Sequence, residues 1–233
     1  MNAIDRYVED VMRHIAPGIP DRHRIEEDLR MHLAERIEAE GDRSRALDRM
    51  GDPEEVARSF LDAIDPPLAT AGDRLGAFLL DAGICAVLLM LASLVVAAIL
   101  DPSGTESVSA LEGVQVFLLA TVFIAPALLY FPVLEERFGQ TPGKRLFDIY
   151  VAKESGERAG LGATVVRRLS LLFEIWPIDA LFVFFTEKRQ RAFDILAKTI
   201  VVDGGEKRFA AWGWVLAPWI AFAGLAAIMV AIT

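Results

Sequence analysis

The sequence predicts an all-α fold in which a small soluble helical bundle precedes a polytopic α-helical membrane domain of three or four spans. The first 70 residues are charged and contain no long apolar run, whereas residues 75–100 are apolar for longer than the roughly 20 residues that cross a bilayer. Further apolar runs occupy 114–134, 171–185 and 210–232. The run at 171–185 is shorter than a full span, so it either crosses the membrane or enters and returns as a re-entrant or in-plane element.

Charge and composition narrow the class of protein. The formal net charge is −9, and the excess of acid lies mostly in the N-terminal half, which argues against a nucleic-acid partner because phosphate binding needs a basic surface. The single cysteine, Cys85, excludes a disulfide within one chain. The histidines His14, His23 and His32 lie on different predicted helices with no cysteine nearby, so we predict neither a metal site nor a cofactor.

Residues 1–65 are predicted to form a cytoplasmic bundle of about four helices. Apolar residues recur every three or four positions between Ile4 and Ile15, which indicates an amphipathic helix. Asp21 is the predicted N-cap of the second helix and Gly41 its C-terminal stop, while Asp52 is the predicted N-cap of the last helix. The core is small for an independent domain, so we expect the bundle to dock on a partner or on the membrane domain.

The remaining domain limits follow from the apolar pattern. Residues 66–72 begin with two prolines and are a predicted linker, 73–205 form the membrane domain, and 206–233 add a C-terminal transmembrane helix. The loop at 101–113 contains no lysine or arginine, whereas 135–170 is basic. The positive-inside rule therefore predicts a multi-pass protein of the inner cell membrane with its N-terminal domain in the cytoplasm.

Two segments on either side of the third apolar run resemble each other. Residues 145–151 and 191–202 each combine an Arg-x-Phe-Asp-Ile pattern with β-branched residues before a glycine turn, so each is predicted to supply a short strand. If the strands pair, both lie on one side of the membrane, and the pairing favours the re-entrant form of the run at 171–185. Basic residues on both sides of that run favour the same form.

Asp81 and Arg74 are the charged residues of the first apolar segment that call for an explanation. A carboxylate two turns inside a span costs roughly 2.5–3.5 kcal/mol on insertion scales. The two residues are seven positions apart, about 10 Å along a helix, and Arg74 leans away from Asp81, so no direct pair is expected. We expect Asp81 to meet a partner from the Glu174–Asp179 region or from the basic cytoplasmic turns.

Asp194 is the predicted partner of Arg74 at the inner surface. The alternative is a surface helix in which Asp194 pairs locally with Arg191 and Lys198. Arg74 could equally serve only as an interfacial anchor.

Residues 139–145, GQTPGKR, superficially resemble a phosphate-binding loop. The glycine spacing is one residue short, no Ser or Thr follows Lys144, and Pro142 removes a backbone donor. We interpret the segment as a tight turn at the membrane surface, with Lys144 and Arg145 facing lipid headgroups.

Together these residues resemble the RDD family of small bacterial membrane proteins. The arginine and two aspartates that give the family its name match Arg74, Asp81 and Asp194. The GQTPGKR turn and the residues just before Asp194 also resemble features of the family. The residues concerned are Gly139, Thr141, Pro142, Gly143, Lys144, Gln190 and Arg191. The N-terminal half resembles HAAS-type helical domains through IDRYVEDVMRHI and RMGDPEEVARSF.

The RDD resemblance implies transport of ions or small solutes, and cation/proton exchange is one form of it. The acids Asp81, Glu174 and Asp179 would then bind a monovalent cation or a proton. Because three or four membrane helices enclose little volume, a transport pathway would need a homo-oligomer. The alternative is a non-enzymatic signalling or assembly protein whose helical domain binds a cytoplasmic partner. An enzyme is not predicted, because the sequence offers no nucleophile–base set.

Overall fold

The computed structural model describes residues 3–100, 131–173, 175–205 and 211–232. The described chain is mostly helical, which agrees with the predicted class, and it also contains one two-stranded sheet. The predicted loop at 101–113 and most of the predicted second span lie outside the described residues.

Helices with defined ends build the N-terminal bundle. They are α1 (Ala3–His14), α2 (Arg22–Glu40), α3 (Arg43–Met50) and α4 (Pro53–Leu61). The Asp52 carboxylate accepts a hydrogen bond from the Glu54 amide at 2.9 Å, as its predicted cap role requires. Gly41 ends α2 in the left-handed region at φ 64°, as predicted. Asp21 occupies the N-cap position of α2, as predicted, but it adopts φ 58° and its side chain makes no capping bond.

The remaining elements follow the bundle along the chain. They are α5 (Ala71–Leu100), α6 (Phe131–Phe138), α7 (Pro142–Leu146), β1 (Ile149–Lys153), α8 (Leu161–Val166), α9 (Leu169–Leu172), α10 (Trp176–Leu181), a 3₁₀ helix (Phe182–Phe184), α11 (Ala192–Leu196), β2 (Thr199–Asp203) and α12 (Ala211–Ile232). Strands β1 and β2 pair antiparallel, with Val151 opposite Val201. The strand prediction from the two similar segments is therefore confirmed.

The bundle packs on the sheet. Buried side chains of the bundle such as Val11 and Leu33 share one apolar core with Ala152, Ile200 and Val202 of the two strands. Backbone hydrogen bonds join the same surfaces: the Ala16 amide donates to the Gly156 carbonyl at 3.1 Å, and the Arg158 amide to the His14 carbonyl at 2.9 Å. The bundle thus packs on a later part of its own chain, which enlarges its small core.

Within the described ranges, α5 is the helix that is long and apolar enough to cross a membrane, over Ala71–Ala92. The shorter apolar stretch of α12, Ala211–Ala227, runs beside it. Gly72 faces Trp212, and the Trp219 indole donates to the Leu79 carbonyl at 3.1 Å, so contacts advance in the same order along both helices. The two helices are therefore parallel, and both begin at the same end of the molecule.

Candidate functional site

Asp81 is held by the turn that follows α6. The Thr141 hydroxyl donates to one Asp81 oxygen at 2.5 Å, and the Gly143 amide donates to the other at 2.7 Å. Thr141 also caps α7, because its hydroxyl oxygen accepts a bond from the Lys144 amide at 3.3 Å. Of the expected partners, Asp81 therefore meets the turn at 139–145, and no intrahelical pair with Arg74 forms among the described residues.

Gly143 allows this close approach. A Cβ atom at Gly143 would overlap the Ala77 carbonyl oxygen and lie 2.8 Å from the Asp81 carboxylate. Any larger residue would push the turn away from α5 and break both hydrogen bonds. Gly143 of the GQTPGKR segment thus lets the backbone of the turn contact α5.

Asp194 lies at the centre of a second, charged cluster. Its carboxylate contacts the Arg167 Nε at 2.9 Å, an Arg191 nitrogen at 3.2 Å and an Arg74 nitrogen at 3.3 Å. Asp194 is fully buried, which excludes the alternative of a solvated surface helix. Its predicted partnership with Arg74 is present, and its described ion pairs involve arginines rather than the expected Lys198.

The electrostatics of Asp194 follow from two opposing effects. Burial opposes ionisation, but the guanidinium groups of Arg167, Arg191 and Arg74 together outweigh it and hold the pKa of Asp194 below its usual range. The aspartate is therefore ionised at neutral pH. It serves as the common counter-ion of three arginines, which lie in α5, at the end of α8 and at the start of α11.

Glu135 joins this cluster to the turn. Its carboxylate contacts Lys144 and Arg168, each at 2.5 Å, and lies 3.9 Å from Arg167. Arg167 is 1% exposed and stands between Glu135 and Asp194, so it links the two acids. Lys144 thus points inward to Glu135, and the prediction that it faces headgroups is wrong; a buried carboxylate attracts it more strongly than the surface does.

The other predicted site residues surround the cluster. Asp179 accepts a bond from the Phe193 amide at 2.9 Å and lies 3.9 Å from Arg191. The Gln190 side-chain amide donates to Glu154 at 2.7 Å and to the Thr199 carbonyl at 2.9 Å, which ties the loop before α11 to the start of β2. Glu174 lies outside the described residues.

Sequence reasoning missed the central roles of Glu135, Arg167 and Arg168. All three lie in residues 135–170, which the positive-inside rule treats only as a basic loop. A usable signal was present, because the two adjacent arginines separate the apolar stretches TVV and LSLLF and are therefore difficult to solvate. Such a pair predicts buried carboxylate partners, although the sequence does not say which ones.

The geometry pairs ionisable residues of α5, the turn and α11 within the chain, and α5 is long and apolar enough to cross a membrane. In the described ranges, no three His, Cys, Asp or Glu side chains converge to hold a metal ion.

The RDD family model matches residues 68–198, which is more than half of the chain, and the protein belongs to the RDD family. The match begins just before α5 and ends just before β2, so it contains Arg74, Asp81 and Asp194. Comparisons with curated proteins and with solved structures gave no match.

Proposed function

We propose that this RDD protein is a non-enzymatic membrane signalling or assembly protein in which the polar network is a structural joint. The joint holds a HAAS-like cytoplasmic bundle in a fixed position against the first span, and the bundle binds a cytoplasmic partner. One observation carries the proposal: the described acids that would bind a transported cation already accept bonds from groups of the same chain.

Asp194 supports this view through its charge environment. Three guanidinium groups lie within 3.3 Å of its carboxylate. A cation that approached Asp194 would meet an excess of positive charge. It would also have to displace an arginine for which Asp194 is the closest described carboxylate. The site therefore resembles an intramolecular clamp more than an ion-binding site.

Asp81 supports the proposal through connectivity. The turn that binds Asp81 is also bonded to the sheet, because the Val151 amide donates to the Gly139 carbonyl at 2.7 Å. Strand β1 in turn packs against the bundle through Ala152. A short path of bonds and contacts thus runs from the middle of the span to the cytoplasmic domain, which suits transmission of force or position.

The proposed topology has three spans: α5, the run at 114–134 and α12. The third apolar run then re-enters or lies in the plane of the membrane, and the pairing of β1 with β2 supports this by bringing its two flanks together. The C-terminus would lie outside. Labelling of Asp203→Cys from the cytoplasm and of Thr233→Cys from outside, in a Cys85→Ser background, is the expected result; labelling of both from one side would contradict it.

The structural role predicts a particular response at Asp81. In Thr141→Val the hydroxyl donor is lost, and the unfolding free energy should fall by about 1.5–3 kcal/mol, the usual worth of a hydrogen bond to a charged group. Thr141→Ser retains the hydroxyl and is the matched control. Denaturant unfolding in detergent measures both. Equal stability of Thr141→Val and the wild-type protein would exclude the joint.

The partner-binding role calls for a probe on the free side of the bundle. Met31 on α2 is 54% exposed although it is apolar. A photoreactive residue at position 31 of the full chain should cross-link to a cytoplasmic protein, and one at the exposed span position Leu88 should not. Cross-linking to lipid alone at position 31 would contradict the proposed bundle orientation.

Cation/proton exchange by a homo-oligomer is the second candidate, favoured by one feature of Asp81. Its two bonded donors, a hydroxyl and an amide, are both neutral, so a proton or monovalent cation could still neutralise it. Proteoliposome flux decides between the candidates. We expect wild-type and Asp81→Asn liposomes to match empty ones; sodium-dependent proton flux that Asp81→Asn abolishes would support exchange.

A further inference from the structure

Exposed apolar side chains recur along the segment between α8 and β2. Six of its side chains are large, apolar and between 54% and 84% exposed: Phe173, Ile178, Leu181, Phe184, Phe185 and Leu196. Exposed patches of this size on a soluble surface are uncommon and mark contact with a membrane or another protein. We call this set the apolar apron.

The apron lies at the level where α5 begins. The Arg189 guanidinium donates to the Leu68 carbonyl at 3.4 Å, and Asp194 pairs with Arg74 on the first turns of α5. Thr70, Ala71 and Phe184 line the same open cleft of about 380 Å³, so the 3₁₀ helix lies beside the start of α5. These contacts fall at the N-terminal end of α5, whose 30 residues measure about 45 Å.

The inner side of the same segment is polar. Asp179 and Asp194 point into the arginine cluster, whereas Phe184 and Phe185 point outward. This division into a charged inner face and an apolar outer face is the pattern of an element that lies in the membrane interface. An element that crossed the bilayer would carry its exposed apolar residues away from the first turn of α5.

Continuity with the span identifies what covers the apron. Leu75, on the first turns of α5, is 53% exposed, and Leu88 further along is 58% exposed, so the apolar surface of the span begins at the height of the apron. Arg74 is next to Leu75 and pairs with Asp194, two residues before Leu196, so lipid that covers the start of α5 also reaches the apron. The occupant consistent with both surfaces is lipid.

We propose that the apron is an in-plane lipid-binding surface, buried in the leaflet at the N-terminal end of α5 with the arginine cluster on its protein side. This rests on the proposed membrane topology and adds to it a partner, the acyl chains just below the headgroups. In-plane elements of this kind sit about 5–10 Å into the boundary between headgroups and acyl chains. The polar joint thereby gains an outer shield that keeps water from its ion pairs.

Spin labels on the full chain in phospholipid nanodiscs test the proposal. In a Cys85→Ser background, Phe185→Cys and Leu196→Cys carry the probes, Met31→Cys is the aqueous reference and Leu88→Cys the deep reference. Power saturation with oxygen and with a water-soluble nickel complex reports depth. At Phe185 and Leu196 we expect strong oxygen contact, weak nickel contact and a depth shallower than that of Leu88.

Each of the other outcomes would contradict a specific part of the lipid-binding proposal. Nickel contact at Phe185 equal to that at Met31 would place the apron in water. Weak contact with both reagents would mean that protein, such as a second copy, covers it. A depth equal to that of Leu88 would mean that the segment crosses. The unfolding and flux tests of the joint use Thr141 and Asp81, outside the apron, so failure of one proposal is distinguishable from failure of the other.

Discussion

The two named aspartates of the family sit in opposite electrostatic settings. Asp81 is held by neutral donors, a hydroxyl and a backbone amide, on an apolar helix. Asp194 is held by three guanidinium groups in a buried cluster that also contains Glu135. The comparison teaches that one motif joins elements in two ways: shape and hydrogen bonding fix the turn to the span, whereas charge compensation fixes α11 to the same span.

Asp194→Asn should produce the largest effect. It leaves Arg167, which is 1% exposed, without its closest carboxylate, and breaking a buried pair in this way costs about 3–5 kcal/mol. Denaturant unfolding and yield of folded protein measure the loss. Asp62→Asn on the exposed end of α4 is the control and should change little. A loss at Asp194 no larger than at Asp62 would remove the proposed contrast between the two aspartates.

Acid should act on the same cluster. Because the folded pKa of Asp194 is below its ordinary value of about 3.9, the aspartate contributes stability above that pH, and this contribution is lost as the pH falls toward the folded pKa. Aspartates titrate between about pH 5 and pH 3. Over this range, wild-type protein should therefore lose more unfolding free energy than Asp194→Asn does. Parallel pH profiles for the two proteins would contradict the assignment.

Gly143→Ala tests the neutral side of the comparison. The added methyl group overlaps the Ala77 carbonyl, and overpacking of this kind costs about 1–3 kcal/mol. Gly162→Ala on α8 is the matched control, because nothing lies within 4 Å of its added Cβ. Thermal unfolding of both variants gives the answer. Equal melting temperatures would mean that the turn does not need close contact with α5.

Arg58→Gln should have the smallest effect. Arg58 pairs with Glu157 at 3.1 Å where the bundle meets the sheet, but its side chain is half exposed and solvent weakens the pair. The apolar core shared with Ile200 and Val202 should hold the bundle in place. Protease release of residues 1–65 measures docking. Rapid release from Arg58→Gln would show that charge, rather than apolar packing, also fixes the bundle.

Local patterns in the sequence predicted much of the fold. The caps at Gly41 and Asp52 follow from backbone chemistry within a few residues, and β-branched residues before glycine turns predicted both strands. The partnership of Arg74 with Asp194 followed from placing both at the same membrane surface. Asp21 lies at the predicted N-cap position, but its left-handed conformation goes with a side chain that makes no capping bond, which the residue type alone does not reveal.

The sequence by itself determined that Asp81 needs a partner from another segment, because an unpaired carboxylate in an apolar helix is too costly. Only the tertiary structure decided that Thr141 and Gly143 supply it, that Lys144 turns inward to Glu135, and that Arg167 links the two acids. The physical reason is the range of the interactions. Helical periodicity and capping act between near neighbours, whereas hydrogen-bond and ion-pair partners 60 to 120 residues apart meet only after the chain has packed.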